Sequence, residues 1–301
     1  MNELHSSGDV NAERERSAAL DARLGETIPV LDHGFIRVVD YMGTDAAVVQ
    51  AARVSYGRGT KTVNEDRGLI RYLMRHRHST PFEMCEIKLH VKLPMFVARQ
   101  WIRHRTANVN EYSARYSILD SEFYLPPADA LAAQSKSNNQ GRGDALSAEE
   151  ADRALALLKA DGEAAYARYL DLMNQTADGE PVDADRQGLA RELARMTLPM
   201  NWYTQWYWKV DLHNLLHFVH LRADSHAQAE IRAYADVMLA LIRDWVPLTY
   251  EAFIDYRRDA VTFSGPAMAV LRRRLAGETV TQEDSGLSAR EWRELEATLA
   301  D

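Results

Sequence analysis

The densest group of side chains able to do chemistry lies in the segment RQWIRHRTANVNEYSARYS, residues 99–117. The apolar spacing of residues 96–105 predicts a helix, on which Arg99, Gln100 and Arg103 share a face because residues three or four apart are neighbours. Guanidinium groups hold phosphate through planar, charge-assisted hydrogen bonds of about 1.5–3 kcal/mol each, and the polar residues that follow suit sugar hydroxyls. The segment therefore predicts a site for a phosphorylated ligand, with a solvated basic helix end as the alternative.

A signature inside this segment resembles that of a known enzyme family. Arg103, His104 and Arg105, followed after seven residues by Ser113, match the RHR-x7-S signature of the flavin-dependent thymidylate synthases. The resemblance extends, in the family's order, to Ser55 of AARVS, HSTPFE (78–83), Asn110-Glu111-x-Ser113-x-Arg115, RELARMTLP (191–199) and LRADSHAQ (221–228). One short motif carries little weight, whereas five in order over residues 55–228 form a strong resemblance.

The resemblance implies a reaction and its cofactors. In this family NADPH reduces FAD, methylenetetrahydrofolate supplies one carbon to deoxyuridylate, and the reduced flavin delivers the hydride that completes the methyl group. The expected products are thymidylate and tetrahydrofolate, and no cysteine attacks the pyrimidine. The family also forms homotetramers whose active sites are shared between subunits, and the long amphipathic helices of this sequence agree with such an assembly.

The resemblance also implies two overlapping sets of binding residues. The expected deoxyuridylate contacts are Gln100, Trp101, Ile102, Arg103, Glu111, Tyr112, Ser113, Ala114, Arg115, Arg195 and Arg222. The expected FAD contacts are Ser55, His78, Thr80, Glu83, Arg103, His104, Arg105, Asn110, Glu111, Asp211, His213 and His217. Three of the FAD residues, Asp211, His213 and His217, match the family only loosely, because many members carry asparagine and arginine there.

Arg222 is the residue expected to be catalytic. By the resemblance it lies against the uracil ring, where a fixed guanidinium favours the N3-deprotonated pyrimidine and so raises the electron density of the ring. Each unit by which the pKa of N3 is lowered corresponds to about 1.4 kcal/mol of preferential stabilisation of that anion. A lysine would supply the charge without the planar, bidentate fit.

Some of these residues also have purely structural explanations. Residues Thr80 to Glu83 fit a capping box with proline at the first helical position, which would start a helical turn. His213 and His217 are spaced like a zinc-binding pair, but the sequence offers no compelling third ligand and no HExxH glutamate, so no metal is expected.

Other reactive side chains are expected to play no chemical part. Ser113 has no candidate base beside it in the sequence, which favours binding over a role as nucleophile. Cys85 is the only cysteine, and it lies on the apolar face of an alternating stretch, as a buried structural thiol would. Asp224 is expected to pair with an arginine and so fix a helix end, and His226 is expected to cap or to pack.

Composition limits the classes of protein that remain. The net charge of −8 disfavours broad attraction to nucleic acid, and no run approaches the ~18–20 apolar residues that cross a bilayer. The N-terminus lacks the pattern of a secretory signal, and a single cysteine fits a reducing compartment. We therefore expect a soluble cytoplasmic enzyme with no membrane or nucleic-acid partner. The alternatives are a basic-helix nucleic-acid-binding module, a metal-dependent hydrolase and a non-catalytic homologue that only binds nucleotide.

The spacing of hydrophobic residues predicts an α+β fold, with a mixed or antiparallel sheet, several long helices and a single catalytic domain. Strands are expected at residues 35–43, 85–93 and 201–210. Helices are expected at residues 45–55, 64–77, 96–105, 151–173, 188–198, 212–222 and 227–245. The expected organisation is a polar, loosely held leader at 1–30, the catalytic domain at 31–260 with a loop insertion at 133–150, and a C-terminal helical tail at 261–301.

Overall fold

A five-stranded antiparallel sheet lies at the centre of the fold. The structure is a computed structural model that describes residues 15–54, 63–136 and 141–300. Its strands, in chain order, are β1 (Ile28–Val30), β2 (Gly34–Met42), β3 (Glu86–Pro94), β4 (Asn108–Glu111), β5 (Ala132–Gln134), β6 (Arg142–Ala145) and β7 (Tyr203–Asp211). The central sheet has the order β1-β2-β3-β7-β4, and β5 and β6 form a separate hairpin.

Helices occupy much of the remaining chain. They are α1 (Ala18–Asp21), α2 (Asp45–Val54), α3 (Val63–Arg75), α4 (Met95–Trp101), α5 (Ala148–Met173), α6 (Arg191–Ala194), α7 (Leu212–Arg222), α8 (Ala229–Trp245), α9 (Pro247–Phe253), α10 (Gly265–Leu275) and α11 (Ala289–Ala300). Short 3₁₀ turns lie at Phe82–Met84, Ala128–Ala130 and Arg195–Thr197, and a π-helical turn at Ile254–Arg258. The predicted α+β class, with an antiparallel sheet and long helices, is confirmed.

The described chain divides into two compact units, of which the first ends at Phe253 and the second begins at Ile254. The second unit has its own small apolar core, in which Val270, Leu287 and Leu295 are buried. None of the helices in the described residues is both long enough and apolar enough to span a bilayer.

The core of the first unit fixes the start of the arginine-rich segment. Ile87, Leu89 and Val91 on β3 are buried, as their alternation with polar residues predicts. Trp101, the last residue of α4, is 0% exposed, and its ring centroid lies 4.6 Å from that of Phe218 on α7 and 5.2 Å from that of Trp208 on β7. Because Trp101 is packed between the sheet and α7, the position at which the chain emerges from the core into the RHR turn is fixed.

The predicted helix at 96–105 is wrong in its second half. The structure ends α4 at Trp101, with Ile102 as its C-cap, so Arg103 to Arg105 form a turn rather than a helical face. The polar residues after this turn then form β4, which pairs with β7 at the edge of the sheet. Pairing with β7 satisfies the backbone groups of β4 that face it, although the four side chains of β4 are all exposed.

The predicted loop at 133–150 is also partly wrong. Residues on both sides of 137–140, which lie outside the described part of the chain, pair as the hairpin of β5 and β6. The following helix α5 begins at Ala148, three residues before the predicted start. Its first turn is closed by a capping box in which Ser147 and Glu150 bond each other's backbone N–H groups.

Two further expectations need correction. The predicted helix at 188–198 shrinks to α6 and a 3₁₀ turn. The residues before α6 run against the end of α5 instead, where the N–H of Leu189 donates to the carbonyl of Leu172 at 2.6 Å. The leader is not loosely held over residues 15–30, since Leu20 is 0% exposed and β1 pairs with β2. Residues 1–14 lie outside the described part of the chain.

Candidate active site

The catalytic candidate Arg222 is held by the turn that carries the RHR signature. Arg222 is the last residue of α7, and its Nε donates a hydrogen bond of 3.1 Å to Nε2 of His104. The ring of His104 also packs edge-on against Phe218 at 4.9 Å and against His217 at 5.9 Å. We call Arg103, His104, His217 and Arg222 the Arg222 cluster.

The electrostatics of this cluster favour a bound anion. Burial, then the charge of Arg222 and the proximity of His217, lower the pKa of His104 to about 4, so its imidazole is neutral at pH 7. A neutral ring with its proton on Nδ1 is the form that accepts from Arg222. Burial, and then repulsion from Arg103, lower the pKa of Arg222, which nevertheless stays charged. A negatively charged ligand would relieve this repulsion between the two guanidinium groups.

A second group of predicted substrate contacts lies where β4 leads into the next loop. Nε of Arg115 is 3.5 Å from a carboxylate oxygen of Glu192, and Nε of Arg195 donates to the backbone carbonyl of the same residue at 3.3 Å. The hydroxyl of Ser113 accepts from the N–H of Arg115 at 3.3 Å, which shapes the turn. We call Ser113, Arg115, Glu192 and Arg195 the Arg195 cluster. Both of its arginines are exposed.

Strand β4 separates the two clusters within one copy of the chain. The RHR turn precedes Asn108, which lies opposite Lys209 on β7, and the Arg195 cluster follows Glu111, which lies opposite Trp206. A strand rises about 3.3 Å per residue, so the length of β4 alone is about 10 Å. The two clusters therefore lie towards opposite ends of the same edge strand.

Strand β4 itself carries two predicted binding residues. Glu111 is predicted to contact both deoxyuridylate and FAD, and Asn110 is predicted to contact FAD. Glu111 accepts a hydrogen bond of 2.7 Å from the hydroxyl of Thr204, whose residue is 3% exposed, so a buried donor fixes an exposed carboxylate. Asn110 is exposed opposite Tyr207. The N–H of Tyr112 donates to the carbonyl of Gln205 at 2.8 Å, which extends the pairing past the end of β4.

Some predicted FAD residues line a cavity of about 540 Å³. Its walls come from α2, α3 and the segment before β3, and they comprise Ala51, Ala52, Leu69, Tyr72, Leu73, His78, Ser79, Thr80, Pro81 and Met84. The rings of Tyr72 and His78, both in this lining, lie 5.7 Å apart. A largely apolar lining that also offers aromatic rings and hydroxyl groups fits part of a flavin or an adenine. Ser55 lies outside the described residues.

The local explanation of the HSTPFE stretch does not hold. The 3₁₀ turn has Pro81 as its N-cap, with no side-chain capping hydrogen bond, so Thr80 does not form the predicted capping box. Thr80 is exposed and Glu83 is half-buried. The turn packs against α7, the helix that carries His213 and His217, which brings these parts of the predicted FAD set together.

Asp211 is the N-cap of α7, which explains why an aspartate stands at this position. Its carboxylate caps α7 by accepting from the N–H of Asn214 at 2.9 Å and from the side-chain amide of Asn214 at 2.6 Å. Asn214 in turn accepts from the hydroxyl of Thr106 at 2.7 Å, which ties α7 to the RHR turn. His213 is half-buried on the first turn of α7. Within the described residues no three histidine, cysteine or acidic side chains group as metal ligands.

Other predicted residues are placed as follows. Trp101 and Ala114 are buried, so their side chains are part of the core, whereas Ile102 and Arg105 are exposed next to the RHR turn. Cys85 is buried, as predicted, and donates from Sγ to the carbonyl of Thr44 at 3.4 Å. Burial, then the charge of Asp45, raise the pKa of the Cys85 thiol to about 12. A thiol that stays protonated at neutral pH is unsuited to nucleophilic attack.

In the loop after α7 the expected local role of Asp224 is found, with His226 and not an arginine as its partner, whereas the role of Gln228 was missed from the sequence. Asp224 accepts from the N–H and from the ring Nδ1 of His226, at 2.7 and 2.9 Å, which closes the loop after α7 as a local cap. Beyond this loop, Gln228 bonds the predicted substrate residue Gln100. Gln228 is the last residue of the LRADSHAQ motif, and membership of this motif is the only feature of the sequence that could have indicated a role for it. Nothing in the sequence alone points to its partner.

The fold and this geometry define a class of protein. It is an α+β protein in which two groups of arginines lie towards the two ends of an edge strand, and a separate cavity of about 540 Å³ lies between α2, α3 and the segment before β3. Sequence comparison identifies the family within this class: a sequence model of the family described as "Thymidylate synthase complementing protein" matches residues 37–248.

Curated relatives and solved structures agree with this match. The flavin-dependent thymidylate synthase of Ruegeria pomeroyi is 66% identical over 94% of this chain and 91% of its own length. The enzyme of the same name from Rickettsia bellii is 58% identical over 93% and 96%. A UMP/dUMP methylase from Streptomyces cacaoi, solved with 5-Br dUMP, superposes with a TM-score of 0.66 at 34% identity, over 77% of this chain and 99% of that one. The chain belongs to the flavin-dependent thymidylate synthase family.

Proposed function

We propose that this protein converts deoxyuridylate into thymidylate, with methylenetetrahydrofolate as carbon donor and NADPH and FAD as the reducing system. Family membership supports the reaction. The single structural observation that carries the proposal is the Arg222–His104 hydrogen bond, because it fixes a half-buried guanidinium at the position expected to face the uracil. No cysteine nucleophile is required, and the buried Cys85 is unsuited to be one.

In this proposal Arg222 acts on the pyrimidine by charge and orientation. Its guanidinium cannot turn freely, since Nε is committed to a neutral His104 and the remaining N–H groups stay available for the ring. A partly buried, pre-positioned cation stabilises the developing anion more than a solvated one does, because no solvent must reorganise during the reaction. Arg103 adds positive charge at the same place.

The Arg195 cluster is proposed to bind the phosphate and sugar. Arg115 and Arg195 flank Glu192 at the surface, where their guanidinium groups can reorient towards a phosphate dianion. Glu111 and Ser113 supply acceptor and hydroxyl groups on the same segment. Tyr112 and the backbone around Ala114 complete the proposed pocket, together with Gln100 to Arg103.

FAD is proposed to lie between the cavity and the RHR turn. When bound, it supplies the hydride chemistry of the reaction. His78 and Thr80 line the cavity, and Glu83 lies in the 3₁₀ turn that packs against α7. His213 and His217 lie on α7, and Asn110 is exposed on β4. The exposed Arg105 provides cationic charge for a pyrophosphate. Ser55 and the capping residue Asp211 are kept in this set on the strength of the resemblance alone.

We further propose that one complete site uses residues from more than one copy of the chain, within a homotetramer. The division of one ligand's contacts between copies follows from the resemblance, and the clusters at the two ends of β4 are the groups that we assign to different copies. Exposed apolar residues, Leu193, Met196 and Met200, surround the Arg195 cluster on the α6 side and offer surface for such an assembly. A cytoplasmic location is part of the same proposal.

A direct assay tests the proposed function. The purified protein is incubated with deoxyuridylate, methylenetetrahydrofolate, FAD and NADPH, and thymidylate is measured by mass. We expect thymidylate to form only in the complete mixture, and the purified protein to show flavin absorbance. If no thymidylate forms while FAD and deoxyuridylate both bind, the proposal is wrong and the protein is a nucleotide-binding homologue.

A further inference from the structure

Glu230, in the first turn of α8, is a buried carboxylate that the proposed reaction does not use. It is 3% exposed. It accepts hydrogen bonds from the hydroxyl of Tyr124 at 3.2 Å, from Nε2 of Gln228 at 2.9 Å and from the guanidinium of Arg142. Burial opposes its ionisation, but the hydrogen bonds from Gln228, from its own backbone N–H and from Arg142 together hold the pKa of Glu230 below its usual value. It is therefore an anion that only accepts hydrogen bonds.

The charge of Glu230 determines how two neighbouring amides point. Because an ionised carboxylate has no proton to give, Gln228 must turn its NH₂ group towards Glu230. The oxygen of Gln228 is then left to accept, and it accepts from the NH₂ group of Gln100. By the same reasoning Gln100 presents its own oxygen, an acceptor, on the far side of its amide. The shape of an amide group does not show which end is oxygen and which is nitrogen. Here the charge of Glu230 decides this for Gln228 and, through Gln228, for Gln100.

The hairpin of β5 and β6 supplies the counter-ion for this arrangement. Arg142 is the first residue of β6, and it also donates from its guanidinium to the carbonyl of Ala130 at 3.3 Å. Removing one partner of a buried charge pair leaves the other charge without compensation. The insertion between β4 and α5, for which the sequence suggested no role, thus contacts the network that reaches Gln100.

We propose that Glu230, held by Arg142, is a positioning residue that orients Gln100 within the deoxyuridylate site through Gln228. The inference rests on the proposed function, which places Gln100 in that site. The oxygen of Gln100 then accepts from a donor on the nucleotide, which is the 3′-hydroxyl, because an acceptor facing N3 would disfavour the N3 anion that Arg222 stabilises. The phosphate dianion is excluded as its partner, because it has no proton to donate.

The test is a kinetic comparison of Glu230→Gln with the wild type. A neutral amide at position 230 can donate as well as accept, so it no longer fixes the direction of Gln228 and Gln100. We expect the KM for deoxyuridylate to rise about tenfold, the effect of losing one hydrogen bond, while kcat at saturating deoxyuridylate changes less than twofold. An unchanged KM would overturn the proposal, and so would a loss of kcat with no change of KM.

A double-mutant cycle shows whether Glu230 acts through Gln100. Gln100→Ala is expected to raise the KM by itself, and adding Glu230→Gln should then raise it no further. Independent, multiplying effects would contradict the proposal. If Glu230→Gln fails to fold, Arg142→Gln disturbs the same carboxylate from the exposed hairpin, and it is expected to raise the KM about threefold; an unchanged KM in that variant would equally overturn the proposal.

The matched control is another partly buried ion pair in the same unit. Arg23 and Asp244 pair at 3.0 Å away from the proposed ligands, so Asp244→Asn should lower stability without changing the KM for deoxyuridylate. Binding of the analogue of deoxyuridylate that lacks the 3′-hydroxyl tests the donor. The affinity of this analogue should differ less between wild type and Glu230→Gln than the affinity of deoxyuridylate does, and an equal difference for both ligands would contradict the assignment. If the wild type forms no thymidylate, the proposed function is wrong. If the wild type forms thymidylate and Glu230→Gln has an unchanged KM, only this inference is wrong.

Discussion

The Arg222 cluster and the Arg195 cluster carry the same type of charge in different surroundings. Arg222 is half-buried, with its Nε committed to a neutral imidazole whose ring packs on the core residue Phe218. Arg115 and Arg195 are exposed and share contacts with Glu192. The core therefore pre-positions the first cluster, whereas the second is held only by surface contacts among its own residues. We expect the first to serve catalysis and the second to serve binding.

The largest effect is expected from Arg222→Ala. Removing a pre-positioned charge that acts on the reacting ring should lower the rate of thymidylate formation by about 100- to 1000-fold. Arg222→Lys should not restore the rate, since an ammonium group lacks the planar fork. Flavin absorbance and circular dichroism serve as controls and should remain close to those of the wild type. Equal turnover in Arg222→Ala would remove the catalytic assignment.

A smaller and different effect is expected from Arg195→Ala. The loss of one charge-assisted hydrogen bond to the phosphate should raise the KM for deoxyuridylate by about 10- to 100-fold and leave kcat within a few-fold. Arg186→Ala is the matched control, because Arg186 is also an exposed arginine but bonds Asp171 at 2.9 Å on α5. If Arg195→Ala lowers kcat as strongly as Arg222→Ala does, the division between catalysis and binding fails.

The pH dependence of stability tests whether the Arg222 cluster is held by its buried surroundings. The pKa of His104 is lowered from 6.5 to about 4 in the folded protein, so between these values the unfolded chain binds more protons than the folded one. The free energy of unfolding should therefore decrease as the pH falls from 6.5 towards 4. His104→Gln should make that decrease less steep, as measured by urea unfolding at a series of pH values. An unchanged slope would mean that His104 is not held neutral by its surroundings.

The smallest effect is expected at Cys85, which lies outside both clusters. Cys85→Ala should retain wild-type kcat and lose about 1 kcal/mol of stability, because a buried sulfur is removed from the core. The measurements are a thymidylate assay and a denaturant titration. Complete loss of activity in a variant that still folds would count heavily against a reaction without a cysteine nucleophile.

Elements that carry their own hydrophobic pattern were predictable, and those defined by pairing were not. The range 212–222 of α7 and the alternation of β3 follow from residue spacing and agree with the structure. Strand β4 has four exposed side chains and hence no alternation, so its strand conformation depends on hydrogen bonds to β7. The early end of α4 likewise depends on the burial of Trp101 in a tertiary contact.

The candidate site shows the same division. The motifs named Arg222 and His104 separately, but they lie 118 positions apart, and only the packing of α7 beside the RHR turn reveals their hydrogen bond. The network of Arg142 and Glu230 has no motif at all, because it joins an insertion to a helix end. Residue types therefore predicted the chemistry of the site, and the folded chain supplies the orientation of each group.

The most direct test of the central claim, that the two clusters act on one nucleotide from different copies, is a complementation experiment. Arg222→Ala and Arg195→Glu chains carrying different tags are co-expressed, and the mixed assemblies are isolated through both tags. If each site takes one cluster from each of two copies, about a quarter of the sites in a random mixture are intact, and thymidylate formation should recover to that fraction. Mixed assemblies no more active than either variant alone would contradict the claim.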